Sequence, residues 1–414
     1  MNTRDEEQYV VLEVRPTGPT RRGRAAAQGA LAATLSVESF STRDAVAARR
    51  DPAVAVAPLL PMKLVEPVRA LDAQTPSGPG SAWGVEAVGA VDSPFTGAGI
   101  TVAVLDTGID ADHEAFAGLR IVERDFTGDG DGDREGHGTH CAGTIAGRDV
   151  NGYRYGVAPG VEDLLVGKVL GEAGGSTDAL MRAMLWALES GADVVSMSLG
   201  LDFPGLVGRW TDEGLPLEPA TSRALEGYRD TIRLFGRLAD VFRAAGPYGR
   251  GALVIAASGN ESRRDHPTPY TIGVSPPAAS EGFVAVGAVE ETADGTLRIA
   301  EFSNAGATVV APGVDILSAR PGGGFRASSG TSMAAPHVAG VAALWAESVL
   351  ASTGHLDVGL LHARLTGNSA ELAGIDATDA GAGLVRAPRA GRADGLELHA
   401  APGARPRAPD WRGR

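Results

Sequence analysis

The chain has 414 residues, 43% apolar and 21% charged, the proportions of a globular protein long enough for several core layers and more than one domain. A formal charge of -14 argues against nucleic acid as a partner, and a single cysteine excludes an intrachain disulfide. No run approaches about 18 consecutive apolar residues, so no membrane span is expected.

The first residues have no basic start followed by an apolar stretch. If the chain is complete, that places it in the cytoplasm; a missing leader or another export route would make it secreted. Residues 1–80 read as a small α+β segment. A strand is expected at 9–14, an Ala-rich helix at 24–35, and two short strands within 54–65 around the Pro58 to Pro61 turn. The Pro- and Gly-rich stretch 73–81 reads as a linker and a place for cleavage.

Residues 100–105 form a short, nearly continuous apolar run after the Gly97-Ala98-Gly99 turn, as a buried parallel strand does. Asp106 then lies at its carboxyl end, where ligand sites form in open α/β sheets. Asp125, Asp129, Asp131 and Asp133 crowd the next loop, and calcium takes oxygens from loops of this kind. The loop is not an EF-hand: Arg134 and His140 stand where Gly and Glu are required. His137 precedes a small, apolar stretch at 141–147 and reads as the start of a helix.

Leu225, Tyr228, Ile232, Phe235, Leu238 and Phe242 recur at three- and four-residue steps, predicting one face of a helix over 219–245 with Gly246-Pro247 as its stop. The piece before it, 201–217, follows directly on 198–200 and would either shape the rim of a cleft or be a surface insertion without function. A second apolar run, 253–257, leads to Asn260. The stretch 338–345 is apolar on nearly every face, a buried helix with Pro336 in its first turn and Ser332 at its positive end. The Arg-, Pro- and Gly-rich tail 391–414 reads as disordered.

Acyl-transfer chemistry needs three of these residue types together. A serine hydroxyl is a weak nucleophile until a base removes its proton, a histidine does so near neutral pH, and an aspartate fixes the histidine's tautomer. Singly, Asp106 reads as a turn residue, His137 as a loop histidine and Ser332 as a helix cap. All three in this order, with glycines at these offsets, leave those readings little room.

Asp106-Thr107-Gly108, His137-Gly138-Thr139-His140 and Gly330-Thr331-Ser332-Met333-Ala334-Ala335-Pro336-His337 resemble the motifs of the subtilisin family, the subtilases, over about 83–390. The acidic loop and Cys141 place the likeness nearer the thermitase-like and proteinase K-like branches. The resemblance implies an α/β fold: a mainly parallel central sheet with helices on both faces, plus the small N-terminal α+β segment. It implies domains at 1–80 (propeptide or accessory unit), 81–390 (catalytic) and 391–414. It implies a serine endopeptidase in which Ser332 attacks, His137 shuttles the proton, Asp106 orients His137 and Asn260 stabilises the oxyanion. Ser198-Leu199-Gly200 and Ala257-Ser258-Gly259 would wall the substrate cleft, with Ser275 near the base of the primary pocket. No cofactor is required for the chemistry; a structural calcium would sit at Asp125, Asp129, Asp131 and Asp133. The strong calcium site of secreted relatives is in doubt, because Ala115 stands where a carboxylate is usual. Partners are protein or peptide substrates and the chain's own N-terminal segment as inhibitor, with no nucleic acid and no membrane. A dedicated maturation protease, or an inactive binding module on a protease fold, are the competing readings.

Overall fold

The computed structural model describes residues 6–16, 31–73, 78–244 and 251–390. The N-terminal part contains β1 (Glu7–Pro16), β2 (Leu31–Phe40), α1 (Thr42–Ala48), β3 (Val54–Pro58), β4 (Pro61–Leu64) and β5 (Arg69–Ala73). The rest is built on β6 (Thr101–Asp106), β7 (Arg120–Asp125), α2 (His137–Ala146), β8 (Asp163–Lys168), α3 (Thr177–Glu189), β9 (Val194–Met197), α4 (Phe203–Asp212), α5 (Leu217–Arg243), β10 (Leu253–Ala257), β11 (Phe283–Glu291), β12 (Val309–Pro312), β13 (Phe325–Ser329) and α6 (Thr331–Thr353).

The central sheet runs β11-β10-β9-β6-β8-β7, parallel throughout. Strand β12 pairs in parallel with β11, and Leu297–Ile299 closes that edge antiparallel. Successive side chains of a strand point to opposite faces, and both faces of the inner strands are buried, so their middles are apolar on both sides, whereas the edge strand β7 is polar and partly exposed. Val102 and Val104 enter one core with α2 and α6, while Ala103 and Leu105 enter the other with α3 and α5. Of the described helices, only α6 is long and apolar enough to cross a membrane, but 78% of that stretch is buried inside the protein.

The N-terminal sheet, β2-β1-β3, is antiparallel. Tyr9 and Val11 of β1 face α1, packing with Ala45 and Val56. Val10, Leu12 and Val14 face the other way and join Leu234, Phe235 and Leu238 of α5 in the second core. This segment therefore shares its core on that side with α5 and the central sheet. The two strands expected around the Pro58 to Pro61 turn form as β3 and β4. They do not pair with each other. Strand β3 stays with β1, and β4 leaves to pair with Gly175–Ser176 and Leu199–Gly200.

Two expectations are corrected. Residues 31–35 belong to β2, not to an Ala-rich helix; pairing along all of β1 overrides the helix preference of alanine. Residues 24–30, the 246–247 stop and the tail from 391 lie outside the described residues. The 201–217 stretch holds helix α4, capped by the Asp202 side chain on the Gly205 N–H. Helix α5 forms near its expected bounds, and Phe235, Leu238 and Phe242 of its expected face are buried; in its N-terminal half the inward positions are Ala224, Gly227, Asp230, Thr231 and Leu234. Leu225 is 65% exposed.

Asp230, 2% exposed, is the unusual member of that face. Arg49 at the end of α1 reaches it at 2.6 Å, tying the N-terminal segment to α5. Burial pushes the Asp230 carboxyl up against the pull of Arg49 and Arg229. Removing one partner leaves an uncompensated buried charge, so Arg49→Met in a Ser332→Ala background should cost about 3–5 kcal/mol at neutral pH. A protonated Asp230 carries no charge, so the loss should shrink on acidification. Urea melts at two pH values test this; a loss independent of pH would mean that Asp230 is not the group left exposed.

Candidate active site

Asp106 ends β6 and His137 opens α2. Both are buried, and His137 Nδ1 lies 2.7 Å from Asp106 Oδ1. The first turn of α2 approaches the Asp106–Gly108 turn so closely that a Cβ on Gly138 would fall 2.2 Å from the Gly108 carbonyl oxygen. Only glycine fits there, which is why His137 is followed by one. Asp133 braces the same junction. Its carboxylate accepts from the Thr107 hydroxyl (2.9 Å), the Gly136 N–H (2.8 Å) and the Thr139 N–H (2.9 Å). The Thr107 hydroxyl in turn accepts from Gly138 N–H at 2.9 Å.

Ser332 is the second residue of α6 and fully buried. Pro336 sits inside the helix, one turn later than expected. Lacking an N–H, it cannot bond to the carbonyl four residues back. That carbonyl belongs to Ser332, and it accepts instead from Ser198 Oγ (3.2 Å) and Cys141 Sγ (3.4 Å). Proline thus links the helix to the cleft wall and to the helix bearing His137. The Cys141 thiol is buried and pushed up by that burial, the state of a packed thiol.

Asn260 follows β10. Its Oδ1 accepts from the Thr331 N–H and the Thr331 hydroxyl, both at 2.9 Å. With the oxygen held, Nδ2 faces the cleft. His140 and His337 are not bases. Each bonds a backbone carbonyl, of Ile316 and Met333, and burial pushes their pKa values down to about 3 and about 4.

The cleft is filled by the chain's own residues 61–73. Strand β4 pairs antiparallel with Leu199–Gly200 on one side and with Gly175–Ser176 on the other. Val65 N–H donates to the Ser198 carbonyl at 3.3 Å. The buried Val65 side chain lies against Gly200. Beyond the centre, Val68 N–H donates to the Ser329 carbonyl at 2.8 Å, and β5 pairs with β13. At the centre, the Ser332 hydroxyl donates to the Val65 carbonyl at 2.6 Å, and Asn260 Nδ2 donates to the Glu66 carbonyl at 2.8 Å. His137 Nε2, buried, has no hydrogen-bond partner.

Of the expected cleft walls, Ser198, Leu199 and Gly200 touch this segment. Ala257, Ser258 and Gly259 lie on the Asn260 side, where Ser275 N–H donates to the Ser258 carbonyl at 3.0 Å. The second strand beside β4 is Gly175–Ser176, which the sequence reading missed; its signal was the Gly171 to Gly175 turn before a helix cap. Asn304 was also missed. Fully buried, it accepts from the Glu261 and Ser262 N–H groups and donates to the Ser258 carbonyl, fixing the loop behind Asn260. Nothing in its local sequence marks it.

The acidic loop does not offer calcium an oxygen set in this arrangement. Asp125 accepts from the N–H groups of Thr127, Gly128 and Gly130, and Asp129 from that of Glu172. Asp133 is committed to α2, and Asp131 is exposed. The carbonyls of Gly130 and Gly132 are taken by the Lys168 ammonium, each at 2.9 Å. The loop at 148–154 also carries its own cation: the Arg148 guanidinium donates to the carbonyls of Ala146, Pro159 and Val161.

Burial works against the His137 imidazolium, but the Asp106 carboxylate outweighs it, so the ring titrates well above the usual 6.5. A raised folded-state value contributes stability that is full below the unfolded value and is lost as pH climbs through the folded one. His137 in Asp106→Asn should therefore titrate at lower pH than in the parent. The parent's stability advantage from this pair should shrink as pH rises above about 6.5. A proton NMR titration in the Ser332→Ala background measures the shift; an unchanged titration removes Asp106 as its cause.

The subtilase family pattern matches residues 97–367. The "Intracellular serine protease" of Paenibacillus polymyxa is 38% identical over 265 residues, 62% of this chain and 69% of that protein. The "Major intracellular serine protease" of Bacillus subtilis (strain 168) is 37% identical over 60% of this chain and 68% of its own length. Subtilisin DY of Bacillus licheniformis is 36% identical over 60% of this chain and 77% of its own. With a mainly parallel sheet, this arrangement of cleft residues and these relatives, the chain belongs to the subtilase family of subtilisin-like serine endopeptidases.

Proposed function

We propose that the chain hydrolyses peptide bonds through an acyl-enzyme formed on Ser332. The hydroxyl attacks the substrate carbonyl, and His137 Nε2 takes its proton and returns it to the leaving amine. Asp106 holds the tautomer that frees Nε2, and Asn260 Nδ2 with the Ser332 N–H receives the developing oxyanion. No cofactor enters these steps. The observation that carries the reading is the meeting of Ser332 and Asn260 on adjacent carbonyls just after strand β4, beside the Asp106–His137 pair. Substrate would add as that strand does, between Leu199–Gly200 and Gly175–Ser176. Its side chain before the scissile bond would lie where Val65 lies, against Gly200.

The N-terminal segment, 1–80, is proposed as an inhibitor of the 81–390 catalytic domain. It occupies the cleft in a substrate's direction but one residue out of step. In a productive complex one carbonyl must meet both the nucleophile and the oxyanion donor. Here Val65 offers its carbonyl to Ser332, and Glu66 offers its own to Asn260. Cleavage in the 73–81 linker would then need a second molecule, since this cleft holds residues 65 and 66. A cytoplasmic site of action is proposed on the likeness to two intracellular serine proteases.

Ser332→Ala should abolish fluorophosphonate labelling and reduce peptide hydrolysis to residual catalysis, with His137→Ala adding little further loss because the triad acts as a unit. A double variant much slower than either single one contradicts the shared role. Asn260→Ala should lower turnover by about 10²–10³-fold, a magnitude measured on a subtilisin.

Deleting Pro67 should bring the Val65 carbonyl to both groups. Intact-mass measurement should then find cleavage between Val65 and Glu66 in that variant and none there in its Ser332→Ala version. A Pro67-deletion chain that stays whole and labels at the parental rate would count against the inhibitor reading.

A further inference from the structure

Lys168 ends β8, between the ends of β6 and β7, in register with Asp106 and Asp125. Its side chain is 3% exposed. An ammonium buried this far is costly unless its protons find acceptors. It finds two peptide carbonyls, of Gly130 and Gly132. Both glycines lie in the left-handed region, at φ 82° and 90°, a backbone that turns their carbonyls to one point. Asp133, the next residue, binds the Thr107 hydroxyl beside Asp106 and the N–H groups that open α2 beside His137. A continuous path of hydrogen bonds therefore runs from Lys168 through the 130–133 turn to both sides of the Asp106–His137 contact.

The surrounding charge makes the cation necessary. Asp125, Asp129, Asp131 and Asp133 lie on this one loop, and Glu123, half-buried, accepts from Ile109 N–H beside the same turn. Without the ammonium, two inward carbonyls would lose their donor and the carboxylates their counter-charge. An oxygen-rich, negative turn of that kind is what calcium takes.

We infer that Lys168 is a built-in cation that stands where a bound metal ion would otherwise hold this loop, and that it positions His137 against Asp106 through Asp133. It is a positioning residue, and the inference rests on reading Asp106 and His137 as the catalytic pair. Its consequence is specific: the native loop has no use for calcium, and the loop without Lys168 acquires one.

The test uses the full chain with Ser332→Ala, so self-digestion plays no part. Adding Lys168→Met should lower the melting temperature by about 5 °C or more. It should also shift or broaden the downfield proton resonance of His137 Nδ1–H, which a merely structural residue would leave in place. Millimolar calcium, and not magnesium, should restore part of both in the Met variant while leaving the parent unmoved. Asp129→Asn with Asp131→Asn, added to the Met variant, should remove that calcium response. A Met variant with the parental melting temperature and an unchanged His137 resonance overturns the proposal. So does a parent that calcium stabilises through a response lost in Asp129→Asn with Asp131→Asn, and this arm decides the matter even if the Met variant does not fold. None of these readouts depends on turnover, so failure of the catalytic assignment and failure of this inference are distinguishable.

Discussion

The geometry of this site depends on one close contact, the first turn of α2 against the end of β6. The approach leaves no room for a Cβ at Gly138, and the Asp133 carboxylate bridges the two sides. Backbone groups at a helix start lack partners within the helix and must find them outside. Here they find Asp133 and the Thr107 hydroxyl, so satisfying the helix start and fixing Asp106 to His137 are the same set of bonds. Hydrogen bonds shared in this way reinforce one another in a buried, low-dielectric setting.

The cleft follows from the same sheet. Parallel strands end together, so the residues after β6, β9 and β10 meet at one rim, and α6 brings Ser332 to it from one face. Leu199–Gly200 and Gly175–Ser176 leave unpaired backbone groups there, and an unpaired edge is a template for another strand. In this chain β4 takes that place. It is delivered by an N-terminal sheet whose apolar face packs on α5 and α3. Helix α5 is thus the docking platform for this sheet, which gives its length a structural reason.

Cationic side chains recur as internal clamps on carbonyl-rich turns: Lys168 on 130–132, Arg148 on 159–161 and Arg154 on the Gly156 and Val157 carbonyls. A chain with a formal charge of -14 has acidic groups to spare at its surface. Placing its buried cations at turns neutralises local negative charge and satisfies carbonyls that no strand reaches.

Sequence alone was enough for the family, the parallel sheet and the residues proposed for the chemistry. Asp106, His137, Asn260 and Ser332 sit in short motifs whose glycines and apolar flanks are dictated by local geometry, and local geometry is written locally. The limits of α5 were legible for the same reason, since helical periodicity is a property of neighbours. Periodicity also placed Phe235, Leu238 and Phe242 inward, but only the tertiary structure decided the N-terminal half of α5, where the approaching sheet selected Ala224, Gly227 and Asp230 over Leu225. It also decided that residues 31–35 extend, since pairing with β1 outweighs the preference of alanine. Asn304 and the one-residue offset of Val65 and Glu66 were invisible in the sequence. Each is a relation between segments far apart in the chain, and no local pattern encodes it. The acidic loop shows the division most plainly. Its four aspartates are in the sequence, but whether they face a metal ion or N–H groups depends on Lys168, a residue on another strand whose ammonium reaches the loop only once the sheet has formed.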